Sequence, residues 1–176
     1  MRALARRPVK WPLPELFCCD LGVQSLPEEI MQGVDGVFHL AGVAHAHGLG
    51  EDMESLYWRV NVDSTASLLE AAANAGVNKF IYISSVKAVA DPKNKCVDEG
   101  WDVPSMDAYG RSKQEAERLL LATGERYGMH VCILRPALVY GPGVKGNLRR
   151  MLLATNKGRF PPYIGIGEYA FNSFSG

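Results

Sequence analysis

Short apolar runs alternate along the chain with longer segments in which apolar residues recur every three or four positions. This alternation predicts strand–helix units and therefore an α/β fold with a parallel sheet. The predicted strands are residues 2–5, 16–19, 36–40, 79–84 and 130–134. The last two runs are almost wholly apolar, which is typical of strands buried on both faces of a sheet.

Two long helices are predicted over residues 53–75 and 107–127, and glycines at positions 76 and 128 end them. Glycine suits these positions because it readily adopts the left-handed backbone conformation that closes many helices. Shorter helices are predicted over residues 27–33 and 147–156. In a doubly wound parallel sheet, ligands bind beyond the carboxyl ends of the strands, so the residues that follow each strand are the first candidates for a site.

Composition and charge exclude several classes of function. The chain has 176 residues, 47% of them hydrophobic and 22% charged, and its 19 basic and 19 acidic residues give no net charge. Such a balance offers no electrostatic reason for binding nucleic acid or an anionic membrane surface. The cysteines and histidines lack the spacing of a metal site, and no apolar run is long enough to span a membrane. We therefore expect a cytoplasmic protein without a bound metal.

The strongest candidate for chemistry is the motif YGRSK at 109–113, near the start of the second long helix. Residues four positions apart share a helix face, so the phenol of Tyr109 and the ammonium of Lys113 project toward the same region. A nearby cation favours the phenolate, and we expect Lys113 to lower the pKa of Tyr109 toward neutrality. Ser84 and Ser85 end a predicted strand one loop earlier, and a hydroxyl there can hydrogen-bond a substrate oxygen while Tyr109 exchanges a proton.

Further motifs follow one another along nearly the whole chain: DL at 20–21, GVDGVFHLAG at 33–42, NVDST at 61–65, FIYISS at 80–85, YGRSK at 109–113 and LRPALVYGPG at 134–143. Together they resemble the extended branch of the short-chain dehydrogenase/reductase superfamily, which contains nucleotide-sugar epimerases and dehydratases. The resemblance implies a Rossmann-like doubly wound sheet and NAD as the cofactor, with NADP as the alternative. It also implies a nucleotide-sugar substrate, UDP-linked in the members whose loops look most like those around Ser85 and Asn147.

By position, the resemblance implies three groups of site residues. Ser85, Tyr109 and Lys113 would be catalytic, with Lys113 also binding the nicotinamide ribose. The cofactor would be bound by Arg6, Asp20, Leu21, Leu40, Ala41, Gly42, Tyr109, Lys113 and Pro136. The sugar nucleotide would be contacted by Ser84, Ser85, Lys87, Asn147 and Leu148.

The residue after Ser85 narrows the reaction that the resemblance implies. Val86 stands where the sugar dehydratases of this family carry an acidic residue, and a valine cannot transfer a proton. Hydride transfer at C4 of the sugar, by a 4-epimerase or a 4-ketoreductase, is therefore favoured over elimination of water. Two alternatives stay open: a reductase of apolar ketones or alcohols in the same superfamily, and a non-catalytic remnant of the fold.

The family's first strand and its glycine-rich pyrophosphate-binding turn have no counterpart before Arg2. A GxGxxG pattern occurs at 141–146, but it lies after the catalytic helix, and we do not interpret it as that turn. We expect residues 1–140 to be an incomplete NAD(P)-binding domain and 141–176 to be the beginning of a truncated substrate lobe. An incomplete sheet exposes unpaired strand edges, which predicts a marginally stable or self-associating chain. The resemblance implies a homodimer through the two long helices.

Overall fold

The computed structural model describes residues 1–8, 15–44, 52–93, 95–137, 139–143 and 146–159, without the side chains of 146–148. The chain divides after Ala137 into two units, which are described separately. The strands of the first unit are β1 (Arg2–Ala5), β2 (Glu15–Cys18), β3 (Gly36–His39), β4 (Lys79–Ile83) and β5 (His130–Leu134). Its helices are α1 (Met53–Tyr57), α2 (Ser64–Asn74) and α3 (Ala108–Tyr127), with 3-10 turns at Glu28–Met31 and Val86–Ala88.

The strands form two parallel sheets rather than the single sheet that the sequence predicts. β1 pairs with β2 in one sheet, and β3, β4 and β5 pair in that order in the other. Among the described residues, no strand pairs with both β1 and β3 and joins the two sheets.

Helices α2 and α3 cover one face of the β3–β4–β5 sheet. β4 supplies Phe80 and Tyr82 to this face because alternate residues of a strand point to the same side. Val131 and Ile133 of β5 pack against the same cluster. Among the least exposed side chains of the described residues are the central members of this core: Leu69, Ala72, Phe80, Tyr82, Ala116 and Leu120.

The other face of this sheet is partly exposed. Phe38, Ile81 and Cys132 lie in register across the three strands, and Phe38 is 72% exposed. Leu134 at the end of β5 is 47% exposed, and no residue of β5 is fully buried. The prediction that β4 and β5 are buried on both faces is therefore wrong, because full burial occurs only on the face that carries α2 and α3.

The predicted helix over 53–75 is present, but one wide turn interrupts it. Trp58–Asp63 form a π-helical turn between α1 and α2, which hydrophobic spacing alone does not indicate. Asn61 within this turn and Thr65 just after it are 1% and 0% exposed. The shorter helix predicted over 27–33 is a single 3-10 turn.

Helix α3 begins and ends close to the predicted residues. Asp107 caps its start by accepting a hydrogen bond from the Gly110 N–H at 3.0 Å, and Gly128 ends it in the left-handed conformation, with φ of 66°. Position 110 requires glycine, because a Cβ there would collide with the Lys87 carbonyl and the Ser105 side chain. This close approach fixes the first turn of α3 against the loop that follows β4.

The described part of the second unit consists of residues 139–143 and of the helix α4 (Gly146–Asn156) with the turn after it. The helix predicted over 147–156 is thus present to within one residue. Positions 144 and 145 of the GxGxxG pattern lie outside the described residues. In the part of the chain that the structure describes, no helix is long and apolar enough to cross a membrane, and no group of three or more metal-ligating side chains occurs.

Candidate active site

Ser85 and Tyr109 meet where the loop after β4 packs against the first turn of α3. Ser84 continues the strand by donating its N–H to the Leu134 carbonyl at 2.7 Å. Ser85 is half-buried, and its hydroxyl accepts from the Lys87 N–H at 3.2 Å, which caps the 3-10 turn. The Ser85 side chain lies close enough to the Tyr109 phenol to favour its ionised form. The structure therefore brings together the serine and the tyrosine that the sequence predicts.

The pKa of Tyr109 is raised, which is opposite to the expected direction. Burial of the phenol is the main cause of the raised pKa; the nearby Ser85 side chain opposes it, and the charge of Asp107 adds to it. Lys113 is not among the groups that lower the pKa of Tyr109, and its ammonium hydrogen-bonds residues of β4. At neutral pH the phenol is protonated, which is the form that can donate a proton to a substrate oxygen.

Lys113 lies one turn further along α3 and is only 4% exposed. Its Nζ donates to the Tyr82 hydroxyl and to the Ile83 carbonyl, each at 2.9 Å. Burial lowers the pKa of Lys113 to about 8, and the carboxylate of Glu117 opposes this. An ammonium has three N–H donors, so one is left for a ligand after the two contacts with β4.

The loop after β3 passes beside Lys113. Asn61 holds this loop: its Oδ1 accepts from the Val43 N–H at 2.8 Å, and its Nδ2 donates to the Val43 carbonyl and the Ser112 hydroxyl, both at 3.0 Å. A Cβ on Gly42 would lie 3.1 Å from Asn61 Oδ1 and 3.5 Å from Lys113 Nζ. Glycine therefore keeps the approach to the ammonium open, and Asn61 ties this part of the predicted cofactor path to α3.

Two further predicted residues border the same loop after β4. Ser84 is 4% exposed, and among the described residues its buried hydroxyl has no hydrogen-bond partner. The substrate-binding role of Ser84 stays a prediction. The carbonyl of Pro136 accepts from the Val86 N–H at 3.3 Å, which places Pro136 beside the loop that carries Ser85.

The other predicted substrate contacts lie outside this hydrogen-bonded cluster. Lys87 is exposed, and its ammonium pairs with the Asp107 carboxylate at 3.5 Å. Asn147 and Leu148 lie in the first turn of α4, in the second unit, and their side chains lie outside the described residues. The substrate-binding roles of these residues stay predictions.

The residues predicted for the rest of the cofactor follow three strands. Arg6 is exposed after β1, and Asp20 and Leu21 are half-buried in a turn after β2. Leu40 and Ala41 are exposed after β3. Arg6, Asp20 and Leu21 follow strands of the separate β1–β2 sheet, whereas Leu40 and Ala41 follow β3 of the other sheet. The cofactor roles of all five residues stay predictions.

Behind Lys113 lies a buried group that the sequence patterns did not indicate. His39 is 3% exposed, its Nε2 is 2.9 Å from the Thr65 hydroxyl, and its ring centre is 5.5 Å from that of Tyr82. Burial, with the charge of Lys113 adding to it, lowers the pKa of His39 to about 4, so the imidazole is neutral at physiological pH. Alternate residues of a strand share a face, so His39 and Tyr82 lie on the same face of the sheet as Phe80. This alternation is the sequence signal that could have identified both residues as buried.

Comparison with known proteins identifies the family. The sequence matches the NAD dependent epimerase/dehydratase family over residues 2–166. The chain belongs to this family. It is 39% identical over 139 residues to a UDP-glucose 4-epimerase of Vibrio cholerae, a match that covers 75% of this chain and 41% of that protein. It is 28% identical over 162 residues to the 3beta-hydroxysteroid-dehydrogenase/decarboxylase isoform 2 of Arabidopsis thaliana, which covers 90% of this chain and 28% of that protein.

Solved structures of this family share the fold. MoeE5 in complex with UDP-glucose and NAD is 30% identical with a TM-score of 0.73, and the match covers 89% of this chain and 53% of that one. The NAD complex of UDP-glucuronic acid 4-epimerase from Bacillus cereus is 27% identical with a TM-score of 0.69, over 81% of this chain and 46% of that one. The predicted Rossmann-like α/β fold is confirmed, and the chain spans about half the length of these structures.

Proposed function

We propose that this chain carries the catalytic residues of an NAD-dependent enzyme that transfers a hydride at C4 of a UDP-linked sugar, as a 4-epimerase or a 4-ketoreductase. The observation that carries the proposal is the proximity of Ser85 and Tyr109 at the carboxyl end of β4, with Lys113 one turn further along α3. Similarity to a UDP-glucose 4-epimerase and to MoeE5 bound to UDP-glucose and NAD supports it.

Tyr109 is the group that exchanges a proton with the sugar. Because its raised pKa keeps the phenol protonated, it donates that proton to the C4 carbonyl oxygen as the hydride arrives at C4. Ser85 donates a hydrogen bond to the same oxygen and stabilises the negative charge that develops there. In the oxidising direction, the phenolate takes the proton of the C4 hydroxyl.

The described residues fit the ribose end of a nicotinamide cofactor. The third N–H of Lys113 is a donor for a ribose hydroxyl, and the absence of a side chain at Gly42 leaves room beside it. When bound, NAD supplies the acceptor of the hydride and, once reduced, its donor. Asp20 and Leu21 are proposed for the adenine end, and Arg6 is placed to pair with a 2′-phosphate if NADP is used.

Cofactor binding followed by turnover tests the proposal. Calorimetric titration measures the affinity for NAD and NADP in both redox states, and nicotinamide absorbance follows hydride transfer with UDP-glucose, UDP-glucuronic acid and N-acetylated UDP-sugars. We expect Tyr109→Phe to lower turnover by about 10²–10⁴-fold, because it removes the proton donor. Tyr127→Phe, which removes a half-exposed hydroxyl at the far end of α3, should leave turnover unchanged. A chain that binds NAD but oxidises or reduces none of these sugars would contradict the proposal.

A reductase of apolar alcohols or ketones is the second candidate. The observation in its favour is the similarity to the Arabidopsis 3beta-hydroxysteroid-dehydrogenase/decarboxylase, which extends over 90% of this chain. The same assay with steroid and flavonoid ketones separates the two candidates, since only one class of substrate should drive oxidation of the reduced nicotinamide. A chain that binds neither NAD nor NADP would instead indicate a non-catalytic remnant.

A further inference from the structure

Tyr82 contacts the Lys113 ammonium from the interior of the protein. Its phenol oxygen accepts the hydrogen bond from Nζ at 2.9 Å, and Nζ lies 4.4 Å from the centre of the ring. Tyr82 is 0% exposed, and burial raises its pKa far above the usual value. The phenol therefore stays neutral and offers the ammonium a fixed acceptor.

The Tyr82 ring rests on an ordered, uncharged support. The His39 ring lies against it with centres 5.5 Å apart and a tilt of 30°. His39 contacts the Thr65 hydroxyl, which donates its one proton to the Asn61 carbonyl at 2.7 Å. Because that proton is used, His39 must be the donor in its contact with Thr65, which fixes the imidazole as the neutral tautomer protonated at Nε2.

We propose that Tyr82 is a positioning residue for Lys113: together with the Ile83 carbonyl it fixes two N–H groups of the ammonium and so determines which one is left for a ligand. A lysine on the surface would sample many side-chain conformations, and ordering it would reduce the affinity for a ligand. Here that ordering is complete before a ligand binds. The role rests on the proposed function, since it affects turnover only if Lys113 serves a bound cofactor.

The charged groups around Lys113 belong to the elements packed on it. Glu117 lies one turn further along α3, and its carboxylate, paired with Arg135 at 2.6 Å, favours the ammonium. The other titratable groups near it are Tyr109 on its own helix, Tyr82 of β4 and His39 of β3. Of the described side chains, Tyr82 is the one that accepts a hydrogen bond from Nζ. Removing its oxygen should therefore disfavour the charged form of Lys113.

Tyr82→Phe tests the role because it removes one oxygen and keeps the ring. NMR titration of the labelled lysine Cε carbons in the 176-residue chain follows the ionisation of Lys113, with its signal assigned by its loss in Lys113→Met. We expect the variant to lower the protonation constant of Lys113 about tenfold, since a hydrogen bond to the charged form is lost. NAD binding should weaken by a similar factor. In the unchanged chain, we expect nuclear Overhauser contacts between the Nζ protons and the Tyr82 ring.

Tyr57→Phe is the matched control. Tyr57 is also a buried tyrosine, but its hydroxyl donates to the Ala44 carbonyl at 3.4 Å, so the titration of Lys113 should be unchanged in this variant. If Tyr82→Phe destabilises the fold without changing that titration, Tyr82 is only a structural residue and the proposal is wrong.

Two further outcomes also decide the question. Should Tyr82→Phe not fold, the Overhauser contacts of the unchanged chain support the proposal if present and overturn it if absent. A chain that shows the altered titration of Lys113 but no hydride transfer supports the role of Tyr82 and contradicts the proposed function alone.

Discussion

The two faces of the β3–β4–β5 sheet come from the same strands but differ in how far they are covered. On one face Phe80 and Tyr82 are 0% exposed and His39 is 3% exposed; on the other, Phe38 is 72% and Leu134 is 47% exposed. Both faces carry large apolar side chains, so the hydrophobicity of a strand residue does not determine its burial. The position of α2 and α3 does.

The covered face is also the one that supports the candidate site. Tyr82 and His39 belong to it, and α3 brings Lys113 and Glu117 to the same side. The pKa of Lys113 is lowered because burial on this face excludes water from its ammonium. Ser85 lies at the end of β4, where its side chain is only half-buried.

Loss of the ion pair between α3 and the end of β5 should have a strong effect on the covered face. Arg135 contacts both oxygens of Glu117, which is 3% exposed. Arg135→Met would leave that carboxylate buried and unpaired, and we expect it to lower the free energy of unfolding by about 3–5 kcal/mol, measured by urea denaturation. Arg118→Met, which removes an exposed pair 3.7 Å from Glu115, should cost less than about 1 kcal/mol. Equal losses in the two variants would show that Glu117 is hydrated.

A cavity in the same face should cost somewhat less. Leu120 is 0% exposed and Leu121 is 58% exposed, although they are neighbours on one helix. We expect Leu120→Ala to lower the free energy of unfolding by about 3 kcal/mol, through lost burial and the cavity that remains. Leu121→Ala should change it by less than about 0.5 kcal/mol. Denaturant titrations measure both losses. A larger loss in Leu121→Ala than in Leu120→Ala would contradict the described orientation of α3.

The pH dependence of the free energy of unfolding tests whether His39 is buried on the covered face. Burial holds its pKa at about 4, whereas an unfolded histidine titrates near 6.5. Below pH 6.5 the unfolded chain therefore binds a proton that the folded chain excludes, and stability is lost as the pH falls toward 4. We expect this group to remove about 2 kcal/mol between pH 7 and pH 5. Unfolding of His39→Asn should depend less on pH over this range, and an unchanged dependence would mean that His39 is accessible to protons.

Polar substitutions on the exposed face should have the smallest effect on stability. We expect Phe38→Ser to change the free energy of unfolding by less than about 0.5 kcal/mol, because the side chain is 72% exposed, and Leu134→Ser by less than about 1 kcal/mol, because the side chain is 47% exposed. The double variant with both substitutions should reduce any self-association measured by sedimentation velocity, since it removes apolar surface beside an open strand edge. A loss of stability as large as that of Leu120→Ala would mean that this face is covered in solution.

The local part of this molecule could be predicted from the sequence. Strand and helix bounds agree to within about two residues in most elements, and Tyr109 and Lys113 were found because four-residue spacing on a helix is a local property. Ser85 was found because it ends an apolar strand. Each of these signals lies within a few residues of the group that it identifies.

The parts that could not be predicted depend on contacts between distant segments. The raised pKa of Tyr109 comes from its burial and from Asp107, and a motif contains no measure of burial. The acceptor that orients Lys113 lies 31 positions away on Tyr82. The separation of β1 from β3 depends on which strands are present between them, and no pattern within either strand reports it.

The π turn at Trp58–Asp63 has a consequence for insertions and deletions. A π turn contains one residue more than an α-helical turn, so deleting one residue from it would restore a regular helix and keep the directions of α1 and α2. The wide turn would be lost, and with it the position from which Asn61 bonds Val43 and Ser112. The loss of a single codon there would thus release the loop after β3 while leaving the helix intact.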